Sequence, residues 1–330
     1  MSNLRDGHLT DVFHRAAERA SLAPSVHNTQ PWRFTLRKDC LELHADFSRQ
    51  LKVLDPTGRQ LHVSCGCALL NLRVAMAAEG RDVTVERLPD PEHPTLLARL
   101  TPTGEPADWT PLSRLEPQLE RRRTNRRRFA TDPVPAELRY EMIQAVDEES
   151  ALFFELRSEK QRAIVAELSQ EADAVQNADP SYRAELRAWT TDDLTRRDGV
   201  PAMAVPHVDG HSGDEIPIRD FDTHGRGWLP TKTESTQDQF LMLLGGSEDN
   251  PLAWLRTGEA LERLWLEITR HDLVASLLTQ VVEVSVTRDV LRRELQLSMF
   301  PHVLLRIGRA PETAATRRRD LDDLITQAVE

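Results

Sequence analysis

Arginines are concentrated in residues 121–129, whose sequence is RRRTNRRRF. Guanidinium groups pair with phosphate oxygens and a threonine hydroxyl adds a further donor, so this segment is suited to one phosphate monoester. A nucleic-acid patch or a solvated surface would also explain such a run. However, Thr124 and Asn125 interrupt the stripe that would follow a duplex, and the formal net charge of −11 disfavours general nucleic-acid binding. The phosphate interpretation is therefore one of the alternatives that the segment leaves open.

Polar side chains with both donors and acceptors occur in residues 23–32, APSVHNTQPW. Two prolines restrict this loop, which lowers the entropy lost when its polar groups are held in place. Asn28 and Gln30 each offer a donor and an acceptor, as the edge of a flavin pyrimidine ring requires. Trp32 opens a predicted strand and is predicted to lie in the core. A purely structural connection is the alternative for the whole segment.

Other potential sites have weaker support. The three cysteines suggest no disulfide framework, and Cys65 and Cys67 are predicted to be small buried residues of a helix. His207 and His211 lie in a polar stretch without matching ligand spacing, so we predict solvated histidines and no metal site. The sequence has no GxSxG elbow, no P-loop and no GxGxxG between a strand and a helix.

Hydrophobic periodicity predicts the elements that position these segments. Helices are predicted at about 11–21, 59–79, 112–123, 136–148, 160–175, 181–189, 252–270 and 317–329. Strands are predicted at 32–36, 40–44, 83–86, 96–100, 152–156, 240–244 and 302–307. Residues 101–111 are the best linker candidate, and 191–236 form a polar segment without periodicity, typical of a lid, a swapped arm or disorder.

Two long helices share a pattern. Gly66, Ala68, Leu69 and Leu72 recur as Gly258, Ala260, Leu261 and Leu264, at a constant offset of 192. The 330 residues suggest two domains, and we interpret the chain as a degenerate internal duplication.

The start of the chain is charged and lacks the apolar core of a signal peptide, and no run of ~18 uninterrupted apolar residues occurs. These features predict a cytoplasmic protein that does not interact with membranes.

Residues 23–34, APSVHNTQPWRF, resemble the flavin loop of the nitroreductase family, and residues 122–126, RRTNR, resemble the segment that opens a nitroreductase subunit. In that family the arginine segment precedes the loop, whereas here it follows about a hundred residues later. A chain that fuses both subunits explains the reversed order. Length, arrangement and residues 64–72 are similar to the Acg-like branch of the family.

The resemblance implies an α+β fold of two nitroreductase-like modules, 1–110 and 111–330, packed as a pseudo-dimer around one FMN. The second module would carry a lid at about 190–236. Arg122 and Thr124 would hold the FMN phosphate with Arg123 nearby, and Arg126 would lie beside the ring. The residues that would approach the ring from the other half are Pro24, Ser25, Asn28 and Gln30. Leu278, Thr279 and Arg317 complete the implied FMN site, and no catalytic side chain is implied.

The predicted function is an FMN-dependent oxidoreductase that passes electrons from NAD(P)H to a nitroaromatic, a quinone or a related small-molecule acceptor. The alternative is non-enzymatic storage of FMN beneath a closed lid, because the long polar segment could exclude a nicotinamide. A nucleic-acid binder ranks far below both. A monomer is plausible because the fused chain supplies its own interface, although a homodimer is not excluded.

Overall fold

The computed structural model describes residues 2–104, 110–127, 129–191, 193, 195–201, 219, 221 and 240–327. The helices in these ranges are α1 (Ser2–Ala20), α2 (Arg59–Ala78), α3 (Gln118–Arg121), α4 (Ala136–Asp147), α5 (Glu159–Ala178), α6 (Pro180–Trp189), α7 (Pro251–Arg270), α8 (Gln280–Glu283) and α9 (Ser285–Glu294). The strands are β1 (Trp32–Leu36), β2 (Leu41–Ala45), β3 (Val83–Arg87), β4 (Leu96–Pro102), β5 (Leu152–Glu155), β6 (Thr190–Thr191), β7 (Val200–Pro201), β8 (Phe240–Gly246), β9 (Val274–Leu277), β10 (Phe300–Gly308) and β11 (Ile325–Gln327).

The architecture is α+β, as predicted, with two larger sheets. The first has the order β11-β1-β2-β4-β3 and is antiparallel apart from β11, which pairs parallel to β1. The second has the order β5-β8-β10-β9 and is antiparallel throughout. A strand from the C-terminal end of the chain thus belongs to the sheet of the N-terminal half, and the two halves are interleaved in space.

Most of the predicted elements are confirmed, including β1, α2, α4, α6 and α7. The predicted helix at 112–123 is instead a turn at Ser113–Leu115 followed by the short α3, because Pro117 lacks the N–H that a continuous helix needs. The predicted helix at 317–329 is wrong. Residues 321–323 form one turn, and the strand β11 then pairs with β1, so sheet pairing outweighs local helical preference there.

Six of the helices and strands in the described ranges were not predicted: β6, β7, β9, β11, α8 and α9. Residues 273–279, which the family resemblance treats as a loop, contain β9 at their centre. Most of the predicted lid at 190–236 lies outside the described residues. His207 and His211 also lie outside them.

Helix α2 lies at the centre of the main hydrophobic core. It is long and apolar enough to span a membrane by composition, but 89% of its apolar window is buried inside the protein. Cys65 and Cys67 are both buried on it and form no disulfide, as predicted. Burial raises the pKa of both thiols, so they behave as small apolar residues.

Helices α2 and α7 meet at the two glycines of the repeat. A Cβ placed on either Gly66 or Gly258 would lie 2.8 Å from the Cα of the other glycine. Such a Cβ would also overlap the carbonyl oxygen of Leu255 or of Val63, respectively. Because 63 and 255 are separated by the same 192 positions as 66 and 258, the contact is reciprocal. An interface around a two-fold axis has this property.

We predict that Gly66→Ala and Gly258→Ala each lower the free energy of unfolding by about 3 kcal/mol, because the added methyl group meets backbone rather than a movable side chain. Urea denaturation at constant m-value measures the change. Ala78→Ser adds one atom at an exposed position of α2 and should cost only about 0.5 kcal/mol. If both glycine variants were as stable as this control, the close backbone contact would not exist in solution.

Candidate functional site

A cavity of about 460 Å³ lies between elements of the two halves. Its walls are formed by some of the residues within 22–28 of the first half and within 119–126, 277–279 and 313–318 of the second. Gly199, Val200, Arg219 and Phe221 complete the lining. Both motifs singled out from the sequence therefore face the same cavity.

The loop before β1 has an unusual backbone. His27, Asn28 and Gln30 all have left-handed φ angles of 47°, 54° and 48°, a region that non-glycine residues rarely adopt. Ser25 holds this shape, since its Oγ accepts a hydrogen bond of 2.9 Å from the backbone N–H of Gln30. The Oγ of Ser64 on α2 accepts another, of 3.1 Å, from the backbone N–H of Val26. Strain retained in this way is common where side chains must be held for a ligand.

Three of the four loop residues expected at a flavin ring line the cavity: Pro24, Ser25 and Asn28. Gln30 is fully buried but does not line it. Its Nε2 donates to the carbonyl of Arg197 at 2.9 Å, and its Oε1 accepts from the backbone N–H of Arg319 at 2.7 Å. Gln30 thus ties the loop to the C-terminal segment.

The arginine segment follows α3 and turns into the cavity. Arg122, Arg123, Thr124 and Arg126 all line it. Asn125 points the other way and fixes the segment, since its backbone N–H donates to the carbonyl of Ala275 at 2.9 Å and its Nδ2 donates to the carbonyl of Pro311 at 2.7 Å. The Thr124-Asn125 interruption is therefore the point where the segment pairs with β9.

Of the remaining residues that the resemblance implies, only one lines the cavity. Thr279 lines the cavity, whereas Leu278 is buried in a separate hydrophobic cluster. Arg317 is exposed and does not line the cavity, but its neighbour Arg318 does. Arg318 donates to the carbonyl of Leu22 at 3.0 Å and to the Oγ1 of Thr316 at 2.6 Å.

Sequence reasoning missed His27, Arg219, Phe221 and Arg318. Residues 317–319 are three consecutive arginines, and no local signal distinguishes which one turns inward. Arg219 and Phe221 belong to the polar segment without periodicity. His27 lies within the recognised loop motif, and its position between the other expected residues was the one sequence signal that could have identified it.

The cavity wall carries an excess of positive charge. Arg219 is paired with Glu283 at 2.6 Å. Among the described residues, however, Arg123, Arg126 and Arg318 form no ion pair with a carboxylate. Burial lowers the pKa of Arg126 to about 10, with a contribution from Arg219. Burial also lowers the pKa of Arg318 to about 9, with a contribution from Arg122. These groups remain cationic at neutral pH, and an anionic ligand would relieve their mutual repulsion.

His27 is 7% exposed, and neither nitrogen of its imidazole has a hydrogen-bond partner among the residues that the structure describes. Its centroid lies 5.6 Å from that of Phe221 in an edge-on arrangement. Burial holds the pKa of His27 well below its usual value of 6.5, and Arg219 and Arg126 lower it further. The neutral ring therefore presents one donor and one acceptor that a polar ligand could satisfy.

Curated relatives define the family. The Mycobacterium tuberculosis (strain H37Rv) protein acg is 32% identical over 323 residues, covering 96% of this chain and 95% of that protein. Rv3131 of the same strain is 33% identical over 309 residues, covering 92% and 88%. Both carry NAD(P)H nitroreductase names that are themselves provisional. The chain belongs to the nitroreductase family, in the group that contains acg and Rv3131.

Solved structures show only a distant likeness. The FMN- and NADPH-dependent nitroreductase NfnB from a Sphingopyxis strain (HMH) is 18% identical, and the match covers 66% of this chain and 99% of that one with a TM-score of 0.40. The Mycobacterium smegmatis NfnB, solved with NADPH, is 16% identical, with 64% and 97% covered and a TM-score of 0.39. No family model matches the chain. The family assignment rests on the curated relatives.

We predict that His27 makes the protein less stable in acid. Its folded pKa lies below the unfolded value, so below about pH 6.5 the unfolded chain binds more protons and stability falls as the pH falls. The contribution is up to about 1.4 kcal/mol per pH unit. Asn tolerates the left-handed backbone, so His27→Asn should remove this part of the slope. Urea denaturation at pH 7.5, 6.5 and 5.5 measures it, and an unchanged slope in the variant would contradict the assignment.

Proposed function

We propose that this protein is an FMN-binding oxidoreductase whose cofactor occupies the cavity between the two halves. The observation that carries the proposal is the set of three cavity arginines, Arg123, Arg126 and Arg318, without carboxylate partners among the described residues. Nitroreductase family membership supplies the cofactor class, since the solved NfnB structures are described as FMN-dependent enzymes.

The residues present fit FMN. The cavity volume of about 460 Å³ lies within the range of small-molecule sites. The arginines of the cavity form two groups, because members of each group lower one another's pKa or that of a shared neighbour. Arg122, Arg123 and Arg318 form one, and Arg126 and Arg219 form the other beside His27. A ligand with a phosphate at one end and a polar ring edge at the other would satisfy both groups.

We assign the phosphate to Arg122, Arg123 and Thr124, with Arg318 in the place that the family resemblance gives to Arg317. Guanidinium groups and the hydroxyl would donate charge-assisted hydrogen bonds there. Pro24, Ser25 and Asn28 would contact the ring. Gln30 and Leu278 would act by holding the loop and β9 in place, because neither side chain lines the cavity.

When bound, FMN supplies hydride transfer. The protein itself would bind FMN, orient it and tune its reduction potential. Arg126 stays charged at neutral pH and lies near His27. It would stabilise negative charge on the polar edge of the flavin ring. We propose NAD(P)H as the electron donor, in keeping with the names of the relatives, and a nitroaromatic, a quinone or a similar compound as the acceptor.

We also propose that the two halves are modules that reproduce the two-subunit arrangement within one chain. The reciprocal contact of Gly66 and Gly258 supports this proposal. A monomer follows from the same interpretation, because the fused chain supplies its own interface; we propose a cytoplasmic location independently of it. Gel filtration at micromolar concentration tests the oligomeric state.

The visible spectrum of the purified protein, before and after anaerobic NADH or NADPH, tests the function. Flavin absorbance that bleaches within seconds supports the reductase. Flavin that bleaches only with dithionite would favour the alternative, a protein that sequesters FMN. A colourless protein that takes up no added FMN would overturn both.

We predict that Arg122→Ala with Thr124→Ala weakens FMN binding by at least about 100-fold, because two phosphate contacts of about 1.5–3 kcal/mol each are lost. Flavin retained after dialysis measures the effect. Arg127→Ala, an exposed arginine in the same segment, should retain FMN like the wild type. Equal retention in the double variant would refute the phosphate assignment.

We further predict that Arg318→Ala and Arg317→Ala differ. Only Arg318 lines the cavity, so its removal should weaken FMN binding by about tenfold or more, whereas Arg317→Ala should change it less than twofold. Fluorescence titration with FMN compares the two. The opposite ranking would show that the C-terminal segment is placed differently in solution.

A further inference from the structure

Arg122 is held from behind the cavity by α7, a feature that the proposed function does not use. The side chain is 3% exposed, and its Nε lies 3.1 Å from the Oε1 of Glu262. Its Nη2 donates to the carbonyl of Leu22 at 3.1 Å, and its guanidinium lies 4.9 Å from the ring centroid of Trp265. Nη1 has no protein partner among the described residues, so it is the nitrogen available to a ligand.

Glu262 is completely buried and incompletely satisfied. The amide of Asn71 is oriented so that both of its ends find a partner. Nδ2 of Asn71 donates to Oε1 of Glu262 at 3.1 Å, and Oδ1 of Asn71 accepts from the backbone N–H of Ala23 at 3.2 Å. The Oε2 atom of Glu262 has no hydrogen-bond partner in the part of the chain that the structure describes. The carboxyl thus connects the arginine segment, α2 and the flavin loop at one point.

We propose that Glu262 is a positioning residue for the phosphate end of the cavity, and that it takes up one proton from solvent when a phosphate-bearing ligand binds to Arg122. This inference rests on the proposed function. In the ligand-free protein the carboxylate is the only anion that pairs with Arg122 among the described residues. A phosphate dianion on Nη1 of the same guanidinium repels the carboxylate that lies beside Nε, and the carboxylate then gains a proton on Oε2.

The electrostatics around Glu262 support a group that titrates near neutrality. Burial raises its pKa to about 7, although Arg122, Asn71 and Arg318 oppose the shift. Cys67 on α2 also faces it, but burial raises the pKa of that thiol well above its usual value, so it stays neutral. Charged side chains of neighbouring elements pair elsewhere on α7: Glu148 and Glu149 with Arg263, and Arg114 with Glu267.

The sign follows from the charges. An added phosphate dianion raises the pKa of Glu262 further, so binding is accompanied by proton uptake and weakens as the pH rises. Above pH 7 the dissociation constant should increase toward tenfold per pH unit. The useful window is pH 7.0–8.0, because the second ionisation of the phosphate is near pH 6 and Arg318 begins to lose its proton near 9.

Isothermal titration calorimetry with FMN in two buffers of different ionisation enthalpy tests the proposal. At pH 7.5 the wild type should take up roughly half a proton or more per FMN. Binding of riboflavin, which lacks the phosphate, should be accompanied by no proton uptake. Glu262→Gln preserves the shape of the protonated carboxyl group and, like it, carries no charge. Proton uptake should therefore vanish in this variant, and its FMN affinity should be equal at pH 7.0 and 8.0.

Glu267→Gln is the matched control, since Glu267 is a buried glutamate on the same helix, paired with Arg114 and remote from the cavity. It should retain the proton uptake of the wild type. Should Glu262→Gln fail to fold, the comparison of FMN with riboflavin in the wild type still decides.

Uptake with FMN alone, lost in Glu262→Gln, supports the proposal. Uptake that is equal for FMN and riboflavin, or that persists in Glu262→Gln, overturns it and leaves FMN binding intact. Absence of binding by both flavins at any pH would instead overturn the proposed function, and this inference with it.

Discussion

The backbones of α2 and α7 touch at Gly66 and Gly258, and the rest of the structure depends on this contact. Helices with side chains at the contact point lie 8–10 Å apart, whereas here a single Cβ would overlap a carbonyl oxygen of the facing helix. The close approach brings Asn71 of α2 within hydrogen-bond distance of Glu262 of α7. The flavin loop and the arginine segment lie on opposite sides of that pair, so one cavity can have walls from both halves.

Charge is distributed unevenly around that cavity. Buried ion pairs contribute little net stability unless each ion is well satisfied, and several cations here are not. Glu283 does satisfy Arg219, because both of its carboxylate oxygens accept hydrogen bonds from Nη2 of that arginine. Although burial by itself would raise the pKa of Glu283, Arg219 lowers it. Arg123 and Arg126 have no such partner among the described residues. The folded protein therefore retains repulsion that a bound anion would relieve, and ligand affinity and protein stability are coupled.

Local patterns in the sequence were sufficient for most of the long helices and strands and for both motifs. Alternation placed Trp32 and Phe34 inward on β1, and the helical stripe placed α2 in the core. Long-range geometry was not accessible in this way. Pairing between β11 and β1 overrides a helical pattern, and the identity of the inward-facing arginine among residues 317–319 depends on where that strand begins. Likewise, Gln30 matches a flavin-binding residue by type, yet its partners are backbone groups of Arg197 and Arg319.

The position of β11 has a consequence for the order of events during synthesis. Domains of many proteins fold as they leave the ribosome, the N-terminal part first. Here the sheet that begins with β1 lacks its outer strand until residues 325–327 have been made, because Phe34 pairs with Ile325. Arg318 also reaches the cavity only once this part of the chain is in place. A nascent chain can thus fold its first helices early, but it cannot complete the proposed flavin site until residues 318–327 have left the ribosome, and a chain terminated before them would lack that site.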